Sequence, residues 1–108
     1  MGVTAIKSEK QYKEIVESTK PNVIMFLAPW DDSSKAIAPK FKTLVERFPK
    51  ADYFSVDICD QQDVAMTSGV KLAPTFRFYN QTKLIKEIKT ESINEVERTL
   101  GAFLKEAQ

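Results

Sequence analysis

Residues 22–39 read NVIMFLAPWDDSSKAIAP, and they decide the fold. The first seven, Asn22 to Ala28, are a continuous apolar run apart from Asn22. A run of that length predicts a strand buried on both faces of a sheet. Asp31, Asp32 and Ser33 then offer side-chain oxygens able to cap a helix N-terminus. Beyond them Ile37, Phe41, Leu44, Val45 and Phe48 share one helical face, and Pro39 inside that helix predicts a kink. A buried strand running straight into an amphipathic helix is half of a parallel crossover unit.

Working outward, the same alternation continues. Val3–Ile6 reads as a short strand. Ser8 with Gln11 forms a capping box for a helix carrying Tyr12, Ile15 and Val16 on one face, and Pro21 closes it. Asp52–Ile58 is the next strand, and Asp60-Gln61-Gln62-Asp63 starts a short helix ending near Gly69. Thr75–Tyr79 and Lys83–Ile88 read as two strands of a hairpin turning through Asn80-Gln81-Thr82. Ser92 with Glu95 forms a second capping box, opening a helix striped by Ile93, Val96, Leu100, Phe103 and Leu104. The order βαβαβαββα predicts an α/β domain over residues 1–108. Its central mixed sheet has about five strands, parallel at first and closed by an antiparallel hairpin, with helices on both faces.

Composition excludes more chemistry than it suggests. The 108 residues fit a single domain and bury a core without disulfides. Sixteen Lys and Arg against 15 Asp and Glu give +1, so no strong field draws nucleic acid or anionic membrane. The absence of His removes histidine bases, triads and His-ligated metals. One Cys removes any internal disulfide and any dithiol pair. No apolar leader follows the start and no run is long enough to span a bilayer, so a cytoplasmic location in a reducing compartment is expected. No cofactor, metal, nucleic acid or membrane partner is expected.

Two motifs inside this order resemble the thioredoxin family across essentially the whole chain. The first is Ala28-Pro29-Trp30-Asp31-Asp32-Ser33-Ser34-Lys35, followed by a proline, Pro39, four residues after the Lys. In the family that frame reads A-x-W-C-G-P-C-K. The second is Val70-Lys71-Leu72-Ala73-Pro74-Thr75-Phe76, similar to the family's cis-proline loop. The stretches Val56-Asp57-Ile58 and Gln62-Asp63-Val64-Ala65 also resemble cytosolic eukaryotic members. The resemblance implies a thioredoxin-like fold, a cis Ala73–Pro74 bond, and a groove where backbone beside that proline pairs with an extended peptide.

The resemblance stops at the chemistry. Asp31 and Ser34 occupy the two cysteine positions, and no thiolate is there to attack a disulfide. The family's buried Asp is here Met25, and the charged residue that often partners it is here Ser55. Family glycines are replaced by Thr82 in the hairpin and by about Thr90 at the groove wall. The chain therefore reads as a redox-inactive homologue acting as a binding or regulatory module for a protein or peptide, as a monomer or weak homodimer. Its groove residues are Trp30, Asp31, Ala73, Pro74 and Thr75.

Each candidate has an ordinary alternative. Asp31 reads as a helix cap or as a fixed mimic of a thiolate at the positive end of a helix dipole. Trp30 reads as a partner contact or as inherited packing. Cys59 reads as a reactive thiol, making the chain a single-thiol oxidoreductase or redox sensor, or as an inert residue among acids. Asp57, Cys59, Asp60 and Asp63 read as a capped, solvated turn before they read as a metal site. Lys71 and Arg77 flank the proline loop and read as ordinary solubility or as partner contacts. A third functional reading is a protein-disulfide reductase by family membership alone, with its dithiol activity lost.

Overall fold

The computed structural model describes residues 2–107. The elements are β1 (Val3–Ala5), α1 (Glu9–Val16), β2 (Asn22–Leu27), α2 (Asp32–Arg47), β3 (Asp52–Asp57), α3 (Gln62–Ser68), β4 (Thr75–Asn80), β5 (Lys83–Lys89) and α4 (Ile93–Glu106). They form one five-stranded sheet ordered β1-β3-β2-β4-β5. β1, β3 and β2 run parallel, β4 runs antiparallel to β2, and β5 antiparallel to β4. This is the mixed α/β sheet that the element order predicts.

β2 sits in the middle, bonded on both sides, which is why its sequence is apolar throughout. Alternation then sorts its side chains between two cores. Val23 and Met25 join Phe41, Phe76, Phe78, Leu100 and Phe103 beneath α2 and α4. Ile24 and Phe26 join Ile6, Tyr12, Val56 and Val64 beneath α1 and α3. The exposed edge strand β5 carries Lys83, Lys86 and Lys89, charges that discourage pairing with another sheet.

Local signals act largely as read, with three differences. Ser8 accepts the Gln11 N–H, but Gln11 Oε1 reaches past the cap to the Lys7 N–H, so the box closes one residue early. Ser92 accepts the Glu95 N–H, but its own N–H goes to Thr90 Oγ1 and not to Glu95, while α2 holds Pro39 inside it as read. α3 is not capped by the acids around Asp60. Its N-cap is Gln61, which makes no side-chain cap bond. Asp57 takes the local work instead, its Oδ1 accepting the Cys59 and Asp60 N–H groups at 2.9 and 3.0 Å. Gly69 ends α3 in the left-handed conformation at φ 77°, where a glycine fits without strain.

Candidate functional site

Strand register gathers the singled-out residues at one end of the sheet. Leu27 at the end of β2 pairs with Asp57 at the end of β3. Phe26 pairs with Thr75 at the start of β4, and Thr75 with Lys89 at the end of β5. The segments around Trp30, Cys59, Pro74 and Thr90 therefore leave the sheet together. Parallel strands that send their helices to opposite faces open a crevice at their carboxyl ends. Here β2 leads to α2 on one face and β3 to α3 on the other. A cavity of about 210 Å3 opens there, bounded by Leu27, Pro29, Ser34, Ser55 and Asp57.

The two former cysteine positions are joined by hydrogen bonds. Asp31 is the N-cap of α2 and accepts the Ser34 N–H at 2.8 Å. The Ser34 hydroxyl donates to the same carboxylate oxygen at 2.9 Å. Ser34 is only 2% exposed, and its Oγ also accepts the Ala28 N–H at 3.2 Å. The pair thus ties the end of β2 to the first turn of α2 through polar contacts alone. One residue along, Ser33 donates to Glu91 at 3.1 Å and fastens α2 to the loop after β5.

The strands leading to this pair carry neutral side chains at two positions where the family resemblance implies charge. Met25 is fully buried in the α2/α4 core, and its register partner on β3 is Ser55. Where the resemblance implies a buried acid and a charged partner, this chain has two neutral residues paired across β2 and β3.

Trp30 is 71% exposed, and its indole N–H donates to Cys59 Sγ at 2.9 Å. Cys59, read in the sequence as separate from the groove, therefore lies against the residue expected to cover it. Across the site the Ala73–Pro74 bond is cis. Ala73 is half-buried and Pro74 buried. Thr75 departs from its expected place in the groove lining. Its side chain is fully buried, because the alternation of β4 turns it inward, and Oγ1 donates to the Leu72 carbonyl at 2.6 Å. Only its backbone is left to the groove.

Leu72, not singled out in the sequence, is 60% exposed just before the cis bond. An apolar side chain in a loop, one residue before Ala-Pro and outside any strand alternation, is the signal that marks it. Thr90, expected at the groove wall, accepts the Ser92 N–H at 3.0 Å, so its hydroxyl serves the turn into α4. Among the described residues no group of three or more acids or thiols converges on a metal site, and no helix is long and apolar enough to cross a membrane.

Comparison with known proteins agrees with this architecture. The thioredoxin family model matches residues 3–106. The thioredoxin of Oryctolagus cuniculus is 31% identical over 104 residues, covering 94% of this chain and 99% of that protein. Thioredoxin-1 of Schizosaccharomyces pombe is 30% identical over 102 residues, again covering 94% and 99%. The solved thioredoxin of Malassezia sympodialis superposes with a TM-score of 0.88 at 25% identity, covering 95% of this chain and 92% of that one. That of Trypanosoma brucei brucei gives 0.89 at 20% identity over 95% and 91%, a likeness of fold. A family match from Val3 to Glu106, on a sheet whose register assembles both motifs at one edge, means that the chain belongs to the thioredoxin family.

Proposed function

We propose that this chain is a redox-inactive family member that binds a protein or peptide through the former catalytic groove. The observation carrying this reading is the contrast at the site. Asp31 and Ser34 satisfy each other where a dithiol would be, while Trp30, next to Asp31, and Leu72, in the loop before the cis bond, stand exposed. Disulfide reduction needs a thiolate that attacks and a second thiol that resolves, and one cysteine supplies at most the first. Exposed aromatic and aliphatic side chains flanking a cleft are the usual anchors of a protein interface. Backbone beside Ala73 and Pro74 offers strand-like pairing that needs no sulfur. A reducing, cytoplasmic setting suits the one free thiol.

The test has two parts. Insulin reduction stays at background, which separates this reading from a working disulfide reductase. Capture from lysate under reducing conditions then compares the chain with a Trp30→Ala, Leu72→Glu variant of equal folded fraction. Specific proteins lost with the variant support the groove, and the same proteins on both overturn it.

A second reading rests on the Trp30–Cys59 contact, which places an exposed thiol at the groove. In this reading oxidation of Cys59 alters how Trp30 is presented, making the groove redox-sensitive. Labelling of Cys59 as fast as a family nucleophile, with a change in Trp30 fluorescence, supports it; slow labelling with none removes it.

A further inference from the structure

At the same end of the sheet lies a second concavity of about 320 Å3, between the loop after α3 and the face of β4 and β5 that carries Thr75 and Arg77. Its wall carries Lys71 and Leu72 from the loop after α3, Arg77 from β4, and Glu87 and Lys89 from β5. Register explains the grouping. Thr75 pairs with Lys89 and Arg77 with Glu87, so all four lie on one face of the hairpin. Arg77 turns to the same side as Tyr79, over the ring of Phe26 at 5.7 Å.

The charges are unbalanced. Three cations line the cavity with one carboxylate, and that carboxylate is already taken. Arg77 Nε donates to Glu87 at 2.7 Å, and Nη1 donates to the Tyr79 hydroxyl at 3.2 Å. The Arg77 side chain is 13% exposed, so its fork is fixed in place before any ligand arrives. Two of its five N–H groups are used by these partners. Lys71 and Lys89 stand exposed at the rim. Leu72, two residues before Pro74, lines this cavity and is exposed, so a chain lying along the loop from Leu72 to Thr75 passes the cavity mouth.

We propose that the occupant of the groove is an extended peptide segment bearing an acidic side chain. That carboxylate seats among Lys71, Arg77 and Lys89 while apolar neighbours cover Trp30 and Leu72. The proposal rests on the groove reading above and adds the chemistry of the partner. An extended segment turns alternate side chains to opposite sides, so one residue reaches the cavity while its neighbours face the groove. Complementary charge here selects the partner more than it raises the affinity, and a bidentate carboxylate is the form an arginine fork accepts.

The test uses three amide-capped peptides of one length, identical except for a central Glu, Gln or Lys between two valines. Each is titrated into the full chain, read by calorimetry and by the fluorescence of Trp30, the chain's single tryptophan. The Glu peptide is expected to bind about tenfold tighter than the others at low salt, with the gap shrinking as salt screens it. Lys71→Glu with Lys89→Glu reverses the order, so the Lys peptide becomes tightest. Both positions are exposed, and circular dichroism confirms that the variant folds. Glu87→Gln frees Arg77 and tightens the Glu peptide further. Equal binding of all three peptides, with Trp30 responding, overturns the acidic assignment and leaves the groove reading standing. A Glu preference that survives Trp30→Ala by calorimetry overturns the groove reading instead. No binding by either method overturns both. Sedimentation equilibrium runs alongside, and a homodimer that blocks all three peptides names a second copy as occupant and overturns the acidic assignment.

Discussion

Replacing Asp31 with alanine removes two hydrogen bonds with separable costs. The first is the cap on the Ser34 N–H, worth about 1 kcal/mol. The second is the acceptor for the Ser34 hydroxyl, which then has a buried proton with nowhere to go, at about 1–3 kcal/mol. Together Asp31→Ala is expected to cost on the order of 2–4 kcal/mol, lowering the melting midpoint by about 10–30 °C. Asp31→Asn keeps an accepting oxygen on the cap and is expected to cost under about 1 kcal/mol. Ser34→Ala leaves the buried Ala28 N–H without its acceptor, so it destabilises by a similar amount for a different reason. The assay is urea unfolding at pH 7, with the slope checked for constancy, on the two alanine variants and their double. A coupling energy of about 1 kcal/mol or more in that cycle shows that the two side chains act as one unit. A cost below about 0.5 kcal/mol for Asp31→Ala, or zero coupling, refutes the role assigned to the pair. The same proteins decide between cap and thiolate mimic. A cap lowers partner binding only in step with the folded fraction, while a mimic lowers it further.

Three other outcomes are expected. Gln81 and Thr82 occupy the hairpin turn at φ 51° and 70°. A β-branched residue is strained there, so Thr82→Gly should stabilise by about 1 kcal/mol in urea, and no gain removes the argument. The Tyr53 phenol is pushed up to about 12, first by burial and then by Asp52. An unfolded phenol titrates near 10, so this stabilisation is complete below about pH 10 and is lost as pH rises towards about 12. Tyr53→Phe should flatten part of that decline, and an unchanged profile counts against it; Tyr12, also raised by burial first, acts in the same direction. Finally, Asp31→Cys with Ser34→Cys should stay below about a tenth of a dithiol member's insulin-reducing rate, because proton transfer contributes about 100-fold or more. Adding Met25→Asp should raise it, and full activity without that change refutes the argument.

Patterns of period two and of helical spacing were readable wherever one face is buried. The hairpin strand β4 and the stripe of α4 carry their buried face in their own spacing, and the unbroken apolar run of β2 marks a strand buried on both faces. The site was less legible because it is made by register between distant strands. Trp30 meets Cys59 only because Leu27 pairs with Asp57, and no local spacing encodes that pairing. Thr75 was assigned to the groove from its place beside Pro74. Its inward turn follows from the alternation of Thr75, Arg77 and Tyr79, which shares a face with Ile24 and Phe26. That same alternation puts Arg77 beside Thr75, but whether the face is covered depends on where α3 stops. Leu72 resembles a core residue until the loop is placed. The missing cap of α3 was hidden because Asp57, at the end of β3, satisfies the turn before the helix begins.

What the site has lost and what it has kept follow different physics. A carboxyl group buried beneath the α2 terminus is costly unless paired, and it is tolerated where a reaction needs a proton acceptor. Met25 beside Ser55 removes that cost and returns the position to the core. Asp31 with Ser34 restores the local constraint of a cross-link by capping the helix. Both features are what stability alone favours if the site performs no thiol exchange, as proposed above. Trp30 and Leu72 are different. At 71% and 60% exposure they leave apolar surface in water that a change to polar residues would remove without touching the core. Packing within the chain covers neither side chain, and Leu72 lines the cation-bearing cavity. In the proposed reading a partner covers both side chains, and its carboxylate meets the cations of the neighbouring cavity.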